Sequence, residues 1–518
     1  MTMRLAEFPL DVQVLPGAMP AFRASIDASE LRGLCQEARS QKFPLIALWG
    51  SDETQQGGGY ALHLALALPS GLLWLTVPLA REHPRYPGIA DVYPSADRMQ
   101  RAAYDLVGIH AQDNPDRRKW LRHGAWPGGV FPLRSDFSIA THFPAAEDHY
   151  PFVKVDGEGV HEIPVGPVHA GTIEPGHFRF SIVGEKILRL EERLGYKHKG
   201  IEKRFETMTL EEGAKLAGRI SGDSTVAYAW AYAMAVESIV GGIELPRRAH
   251  ALRGILLELE RIANHLGDLG YLGNDVGLSF GFFQFWRLKE DLLRLNAQLF
   301  GHRYLMDAIV PGGVAKDLLQ SEADLLLDQL QKIQKQVTTL KSIYDEHAGA
   351  QDRFIMTGRL PPELAEKIGL TGFAGRSSGN RRDLRVNYSI SPYRELGVQL
   401  VSHTRGDVAA RVSVRFDELA ESIRLIQMLL RQLPSGGTRI ALANAAHGTA
   451  GIGWVEGWRG EIFIALEAGE NNRVRRCHAH DPSWQNWPAL QYAVIGNIVP
   501  DFPLINKSFN LSYSGHDL

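Results

Sequence analysis

The chain of 518 residues is poor in cysteine, and it has no long apolar run and no charge of one dominant sign. Two cysteines, Cys35 and Cys477, exclude a disulfide scaffold and are typical of a reducing compartment. No segment approaches 18 uninterrupted apolar residues, so we predict no membrane-spanning helix. The first residues lack an apolar core followed by a cleavage site, so we expect no signal peptide.

The composition that remains is that of an ordinary globular protein. Hydrophobic residues make up 44% and charged residues 22% of the chain. The formal net charge of -3 gives no reason to expect nucleic acid or an anionic membrane as a general partner. The length is sufficient for two or more domains with substantial cores.

The pattern along the chain predicts two domains and a linker. Residues 1–137 form the first, an α+β domain, with helical spacing at 28–38 and strands at 43–49, 60–67 and 72–77. Residues 138–165, rich in Pro, His and acidic residues, are predicted to be a linker that leads into a strand. Residues 166–518 form the second domain.

The second domain is predicted to be mainly helical. Residues 223–240 are rich in alanine and almost uncharged, which predicts a helix buried on all sides, with Ser221 or Asp223 as its N-cap. Amphipathic helices are predicted at 252–266 and 326–340, another long helix at 407–433, and a β-hairpin at 454–465. The fold class is therefore α+β: a small N-terminal α/β-sandwich-like domain precedes a large, mainly helical domain with a small N-terminal β-sheet.

A loop punctuated by Gly and Pro carries the first candidate functional residues. His169, Glu174 and His177 lie in residues 166–177, directly before an alternating strand at 178–182. Gly and Pro fix the path of such a loop, so its polar groups sit on a rigid turn. The spacing alone is a weak ligand pattern, and a surface turn with solvated histidines fits it equally well.

Several segments, in order along the chain, carry a family resemblance. They are residues 166–169, 174–179, 194–206, 301–304, 310–314, 375–379 and 406–412. Together they resemble the large subunit of membrane-bound, energy-converting (group 4) nickel–iron hydrogenases and the homologous 49-kDa-type subunit of respiratory complex I. Residues 104–109, 114–118 and 132–137 resemble part of the 30-kDa-type subunit of complex I, which is fused to the large subunit in several hydrogenase relatives.

The chain departs from this family at the metal ligands. Nickel–iron hydrogenases hold their metals with two Cys-x-x-Cys pairs, because nickel and low-valent iron need soft thiolates. The matching positions here are Ser221 and Ser224, then Ser512 and Gly515. A hydroxyl is a poor ligand and glycine offers no side chain, so we expect a metal-free variant that is not a functional nickel–iron hydrogenase.

The resemblance also implies which residues surround the former metal pocket. We predict His169, Glu174, His177 and Asp223 as the groups that carry any remaining chemistry. The predicted pocket residues are Arg376, Ser378, Asp383 and Asp517. Two weaker interpretations remain for nearby motifs, a zinc site at 477–481 and a phosphate cradle at 375–379.

Three functions are compatible with these residues. The resemblance implies a peripheral-arm subunit of a membrane-bound, ion-translocating complex, in which this chain binds no cofactor and contributes a quinone or proton-transfer pocket. Its implied partners are a small 20-kDa-type iron–sulfur subunit, a ferredoxin-like iron–sulfur subunit, and antiporter-like and quinone-channel-like membrane subunits, at the cytoplasmic face of the inner membrane. The alternatives are a non-catalytic scaffold that couples a redox module to antiporter-like subunits, and a stand-alone enzyme.

Overall fold

A computed structural model describes residues 2–170 and 173–518. The N-terminal part contains a six-stranded sheet with the strand order β1-β2-β3-β6-β5-β4, two helices, and a two-stranded parallel sheet, β7-β8. These elements are β1 Thr2–Arg4, β2 Asp11–Leu15, β3 Ala21–Ser25, α1 Ala28–Ser40, β4 Leu45–Asp52, β5 Tyr60–Leu68, β6 Gly71–Leu79, β7 Arg85–Pro87, α2 Ala96–Val107 and β8 His110–Gln112.

The two faces of the N-terminal sheet differ because β5 alternates large and small residues. Leu62, Leu64 and Leu66 point to one side and pack in a core with residues of α1 and α2. Ala65 and Ala67 point to the other side, where they join the core of the second part of the chain. The small side chains let the second part approach the sheet closely.

The edge strand β4 is also covered by the second part of the chain. Gln485 Nε2 donates a hydrogen bond of 2.6 Å to the Ile46 carbonyl, and Arg476 Nη2 donates one of 3.0 Å to the Gly50 carbonyl. The rings of Trp49 and His478 stack with centroids 4.6 Å apart. These two carbonyl groups of the edge strand, which would otherwise lack a partner, are thus hydrogen-bonded within the chain.

The second part contains long helices around small sheets, with β11-β10-β9 and β14-β15-β16 as three-stranded sheets. The strands are β9 Val160–Val165, β10 His177–Val183, β11 Lys186–Arg193, β12 Ile309–Val310, β13 Gly313–Val314, β14 Ala450–Glu456, β15 Glu461–Ala468 and β16 Val474–His480. The helices are α3 Ile201–Phe205, α4 Leu210–Ala217, α5 Thr225–Val240, α6 Arg247–Asp275, α7 Ser279–Phe300, α8 Gln320–Glu346, α9 Ala348–Phe354, α10 Pro362–Ile368, α11 Gly372–Ser377, α12 Leu384–Asn387, α13 Tyr393–Leu396, α14 Val408–Arg431, α15 Ser483–Ala493, α16 Phe502–Phe509 and α17 Tyr513–Asp517.

Helix α5 lies at the centre of the second part and packs directly on β14. An added Cβ at Gly453 would lie 1.8 Å from the Ala231 carbonyl oxygen, and one at Gly451 would lie 2.3 Å from that of Ala235. The two glycines therefore let the helix backbone touch the strand. The prediction of a helix buried on all sides is confirmed, since every residue from Thr225 to Ile239 is buried.

The predicted N-cap of α5 is wrong. Ser224 precedes the helix, but its side chain makes no capping hydrogen bond. Instead the Glu260 carboxyl group of α6 accepts hydrogen bonds from the backbone N–H groups of Val226 at 2.7 Å and Ala227 at 3.2 Å. These bonds satisfy two of the free N–H groups at the start of α5, and burial raises the pKa of Glu260 to about 8.

The hairpin predicted at 454–465 corresponds to β14 and β15, the first two strands of the three-stranded sheet β14-β15-β16. The third strand, β16, contains Cys477, His478 and His480, and its side chains are buried against β15 and the N-terminal sheet. Strand β9 begins at Val160, inside the predicted linker, and residues 138–159, all described, contain no regular secondary structure. No helix in the described part of the chain is both long enough and apolar enough to cross a membrane.

Candidate functional site

Ser512 lies within hydrogen-bonding distance of two of the other three positions that match metal ligands. The hydroxyl oxygens of Ser221 and Ser512 are 2.9 Å apart, although 291 residues separate them in sequence. Gly515 N donates a hydrogen bond of 2.8 Å to Ser512 Oγ, because Ser512 is the N-cap of α17. The start of α5 and the C-terminal helix α17 therefore meet at these residues.

The fourth position, Ser224, joins them through an arginine that the sequence analysis missed. Arg459, in the turn between β14 and β15, donates from Nη1 to Asp223 Oδ1 at 2.8 Å and to Ser224 Oγ at 3.2 Å. Its Nη2 pairs with the second oxygen of Asp223. Ser221 Oγ donates to Asp223 Oδ1 at 2.8 Å. We refer to Ser221, Asp223, Ser224, Arg459, Asp481 and Ser512 as the serine–arginine cluster.

The charge of Arg459 sets the protonation state of Asp223. Burial alone would raise the pKa of Asp223, but the nearby Arg459 guanidinium and the hydrogen bonds from Arg459 and Ser221 lower that pKa to about 2. Asp223 is therefore a carboxylate at neutral pH. The pair places one positive and one negative charge among these serines.

Asp481 fills the space in front of Gly515. An added Cβ at Gly515 would lie 2.3 Å from Asp481 Oδ2. That same oxygen accepts a hydrogen bond of 2.8 Å from the hydroxyl of Tyr228, and Ser483 N donates to Asp481 Oδ1 at 2.8 Å. Any side chain at position 515 would have to displace a carboxylate that is already paired.

The cluster does not fit a nickel–iron centre. Its groups are hydroxyls, two carboxylates and a cation, whereas the metals need thiolates. Among residues 2–170 and 173–518, no three His, Cys, Asp or Glu side chains are arranged to hold a metal ion.

Glu174 is connected to the cluster through a serine and a lysine. Its carboxylate accepts hydrogen bonds from Ser514 N at 2.9 Å and from Ser514 Oγ at 2.8 Å. Lys199 Nζ donates to Ser514 Oγ at 3.1 Å and to the Ile220 carbonyl at 2.6 Å. Burial lowers the pKa of Lys199. Because Ile220 precedes Ser221, this arrangement ties the loop around Glu174 to the start of the cluster.

The two candidate histidines hold the loop rather than reach the cluster. His169 Nε2 donates to the Gly176 carbonyl at 2.7 Å, and His177 Nδ1 donates to the Gly166 carbonyl at 3.1 Å. Burial lowers the pKa of His177, so its neutral form is favoured. Within the described residues, neither ring hydrogen-bonds to a member of the serine–arginine cluster. His169 is partly exposed, and the neighbouring Val168 is 86% exposed.

Arg376 and Asp383 belong to a separate, fully buried ion network. Arg376 donates to Glu418 Oε1 at 2.8 Å and to Glu456 Oε1 at 2.7 Å. Asp383 accepts from Arg385 Nη2 at 2.7 Å. The hydrogen bonds of Arg376 therefore go to α14 and β14, and within the described residues none of them reaches the serine–arginine cluster.

The other predicted pocket residues lie in two further places. Asp517 accepts a hydrogen bond of 2.8 Å from Lys197 N and lies 2.8 Å from His516 Nδ1. His516 in turn accepts from Trp120 Nε1 at 3.2 Å, which connects α17 to the N-terminal part. Ser378 lines a cleft between the two parts of the chain.

A cavity of about 20 Å³ adjoins the cluster, enough for one water molecule. Its lining includes Gly222, Asp223, Glu260, Arg303 and Tyr304. An added Cβ at Gly222 would meet no atom within 4 Å. A larger side chain at position 222 would therefore have room.

Two family profiles match the chain in the order that the two parts have in the fold. The 30 Kd subunit of the respiratory-chain NADH dehydrogenase matches residues 24–143, and the 49 Kd subunit matches residues 275–450. The class of protein is therefore a fused 30-kDa and 49-kDa type subunit.

Known proteins resemble the chain over most of its length. Formate hydrogenlyase subunit 5 of Escherichia coli is 32% identical over 91% of this chain and 84% of its own length. Hydrogenase-4 component G of the same organism is 31% identical over 91% and 83%. The C/D subunit of the NADH-quinone oxidoreductase of Phocaeicola vulgatus is 29% identical over 86% and 90%. The chain belongs to the family of large subunits that contains these hydrogenase and NADH-quinone oxidoreductase proteins.

A solved structure shares the fold. A chain of the membrane-bound sulfane sulfur reductase, described as an archaeal respiratory membrane complex, aligns with a TM-score of 0.66 and 24% identity. The alignment covers 71% of this chain and all of that one.

Proposed function

We propose that this chain is a peripheral-arm subunit of a membrane-bound, ion-translocating respiratory complex related to complex I and energy-converting hydrogenases. Within it the chain acts as a coupling scaffold that has lost redox chemistry at the former metal positions. The observation that carries the proposal is the pairing of Arg459 with Asp223 among Ser221, Ser224 and Ser512.

Membership of the family supports the first part of the proposal. The relatives include subunits of hydrogenases and of NADH-quinone oxidoreductases, and the related solved chain comes from a respiratory membrane complex. The proposed partners are a 20-kDa-type iron–sulfur subunit, a ferredoxin-like iron–sulfur subunit, and antiporter-like and quinone-channel-like membrane subunits. They would hold this chain at the cytoplasmic face of the inner membrane.

The contacts of the cluster support the scaffold role. Hydrogen bonds connect the start of α5, the β14–β15 turn, α17 and, through Ser514, the loop around Glu174. Buried polar groups that are all paired fix the relative positions of the elements that carry them. In this chain an ion pair provides the cross-link that a metal centre provides in hydrogenases.

Purification of the complex from membranes through a tag on this chain tests the proposal. We expect iron–sulfur and antiporter-like subunits to co-purify, and nickel to be far below one atom per chain by elemental analysis. We expect Arg459→Gln to reduce the yield of the assembled complex, because it leaves Asp223 unpaired. Arg294→Gln, which removes an exposed pair with Glu290, is the matched control.

Recovery of the chain alone from the soluble fraction would contradict the proposed membership of a complex. One nickel per chain would contradict the loss of the metal site. An assembled complex with Arg459→Gln at the yield of the control would contradict the scaffold role of the cluster.

A second candidate function is quinone binding at the loop of residues 166–177. The observation that favours it is a partly exposed histidine, His169, beside the exposed apolar side chains of Val168 and Ile173. A quinone headgroup accepts hydrogen bonds and its tail is apolar, so both kinds of contact would be available. In this function Glu174 and Lys199 would supply protons through Ser514.

The rate at which the assembled complex reduces a soluble quinone distinguishes quinone binding from the scaffold role. Under quinone binding, His169→Ala should lower turnover at least tenfold, whereas His161→Ala, an exposed histidine on β9, should not. Under the scaffold role both variants should turn over at the wild-type rate. Wild-type turnover in an assembled His169→Ala complex would therefore eliminate the quinone candidate.

A further inference from the structure

The small cavity beside the serine–arginine cluster is lined by both surface and core residues. Gly222 is exposed and Tyr304 is 42% exposed, so this part of the lining is close to solvent. Glu260 also lines the cavity and is only 5% exposed. The cavity therefore connects a buried carboxyl group with residues at the surface, a connection that the proposed function does not use.

A buried side chain of α7 has an unpaired oxygen at this cavity. Asn296 lines the cavity and is 1% exposed, and its Oδ1 has no hydrogen-bond partner among the described residues. Its Nδ2 donates only a long bond of 3.4 Å to the Arg303 carbonyl. Buried amide oxygens are rarely left unpaired, and a bound water molecule is a common partner for them.

A lysine of the same helix provides a donor. Lys289 lines the cavity and is half-buried, and within residues 2–170 and 173–518 its ammonium group makes no hydrogen bond or ion pair. That group lies 5.3 Å from the centre of the Trp286 ring. Burial lowers the pKa of Lys289. With Asn296 as acceptor and Lys289 as donor, a water molecule in the cavity has the polar partners that a buried site requires.

The hydrogen bonds of Glu260 leave any proton it carries without an acceptor. Its two oxygens accept from the backbone N–H groups of Val226 and Ala227, and within the described part of the chain its carboxyl group makes no other hydrogen bond. Those N–H groups cannot accept a proton in return. Burial raises the pKa of Glu260 to about 8, so the group is protonated at neutral pH and needs an acceptor such as water.

The surroundings of Glu260 allow its charge to change. The titratable and charged groups that face it or line its cavity are Asp223 before α5, Arg261 on α6, Lys289 on α7, and Arg303 and Tyr304 after α7. The charge of Asp223 raises the pKa of Glu260, and that of Arg261 lowers it. Among the described residues, none of these groups forms an ion pair with Glu260, so its ionisation breaks no ion pair.

We propose that Glu260 is a proton-exchange site, which takes up and releases a proton through one water molecule in this cavity. The water donates to Asn296 Oδ1, accepts from Lys289, and accepts the proton of the Glu260 carboxyl group. Uptake moves one proton from solvent to the carboxylate and release returns it, with no change in oxidation state. This role goes beyond the proposed scaffold and does not rest on it.

The pH dependence of unfolding tests whether folded Glu260 holds a proton. The unfolded chain loses this proton above about pH 4.3, whereas the folded chain keeps it up to about pH 8. Between about pH 5 and 7 the unfolding equilibrium constant of the wild type should therefore rise about tenfold per pH unit relative to that of Glu260→Gln. Urea unfolding of the purified full chain measures both. Glu346→Gln, an exposed carboxyl group at the end of α8, should follow the wild type.

The variant Gly222→Leu tests the role of the cavity. The added Cβ meets no atom within 4 Å, so the side chain has room to fill the cavity and exclude water. The Glu260 carboxylate then loses a donor, and its titration midpoint should rise by about one pH unit or more. Infrared spectroscopy measures this midpoint from the C=O stretch of the protonated carboxyl group, which Glu260→Gln identifies. Gly33→Leu, which has equal room on α1, should leave the midpoint unchanged.

The proposal is overturned if the unfolding constants of the wild type and Glu260→Gln keep a constant ratio between about pH 5 and 7, because folded Glu260 is then a carboxylate. It is also overturned if folded Gly222→Leu titrates at the wild-type midpoint. Should Glu260→Gln not fold, the infrared difference between the wild type and Gly222→Leu decides. None of these measurements needs other subunits, so failure of this proposal is distinguishable from failure of the proposed function.

Discussion

At the scale of single residues, an ion pair lies among the positions that match the metal ligands of nickel–iron hydrogenases. Serines at 221, 224 and 512 are too weakly ligating to hold nickel, and Arg459 is held among them by Asp223. Arg459 and Asp481 both lie far from Ser221 in sequence, and nothing local to either residue indicates that they meet. The motif at 477–481 indicated Asp481 as a candidate zinc ligand. In the structure its carboxylate instead occupies the space in front of Gly515.

The Arg459–Asp223 pair should contribute measurably to stability. We expect Arg459→Gln to lower the free energy of unfolding by about 1–2 kcal/mol, because charged hydrogen bonds are lost, while Asp223, whose side chain is 38% exposed, keeps its hydrogen bond from Ser221. The exposed pair Arg294–Glu290 is the control, and Arg294→Gln should change the free energy by less than about 1 kcal/mol. Urea unfolding measures both, and equal effects would contradict a larger contribution from the half-buried Arg459–Asp223 pair.

A buried histidine should make stability depend on pH. Burial lowers the pKa of His480 from its usual value to about 3, so the folded chain keeps this ring neutral. The unfolded chain takes up a proton as the pH falls through about 6.5, so the stability from this group is complete above that pH and is lost below it.

The variant His480→Gln isolates that contribution. Between pH 6 and 5 its unfolding free energy should depend on pH less steeply than that of the wild type, by about 1.4 kcal/mol per pH unit. Urea unfolding at a series of pH values gives both slopes. Parallel curves for the two proteins would show that His480 is not buried in its neutral form.

At the scale of secondary-structure elements, close backbone contact explains the most restrictive positions. Helix α5 touches β14 at Gly451 and Gly453, and no Cβ fits between them. We expect Gly453→Ala to destabilise the chain by about 3 kcal/mol or more, because neither backbone is free to move. The midpoint of thermal unfolding measures the effect.

Gly33 in α1 is the matched control for this substitution. No atom lies within 4 Å of an added Cβ at Gly33, and its backbone is helical. Gly33→Ala should therefore stabilise the chain by about 0.5–1 kcal/mol. A similar destabilisation at both positions would contradict the close packing of α5 on β14.

At the scale of the whole molecule, the two parts of the chain share an extensive interface. The alanine face of β5 enters the core of the second part, and Trp49 stacks between His63 and His478. We expect Trp49→Ala to destabilise the chain by about 3–5 kcal/mol and to separate thermal unfolding into two transitions, one for each part. Differential calorimetry would show this, and a single transition at the wild-type temperature would contradict it.

The sequence alone determined the α+β class, the buried helix α5 and the loss of the metal ligands. Each of these depends on local information: apolar periodicity, an alanine-rich run without charges, and residue types at motif positions. The tertiary structure alone decided that Arg459 lies beside Ser224 and Asp481 beside Gly515, that Glu260 caps α5, and that Arg376 pairs with Glu418 and Glu456. These contacts join residues that are 33 to more than 200 positions apart in the sequence. Many charged residues along the chain could form such a pair, and only the fold selects the one that does.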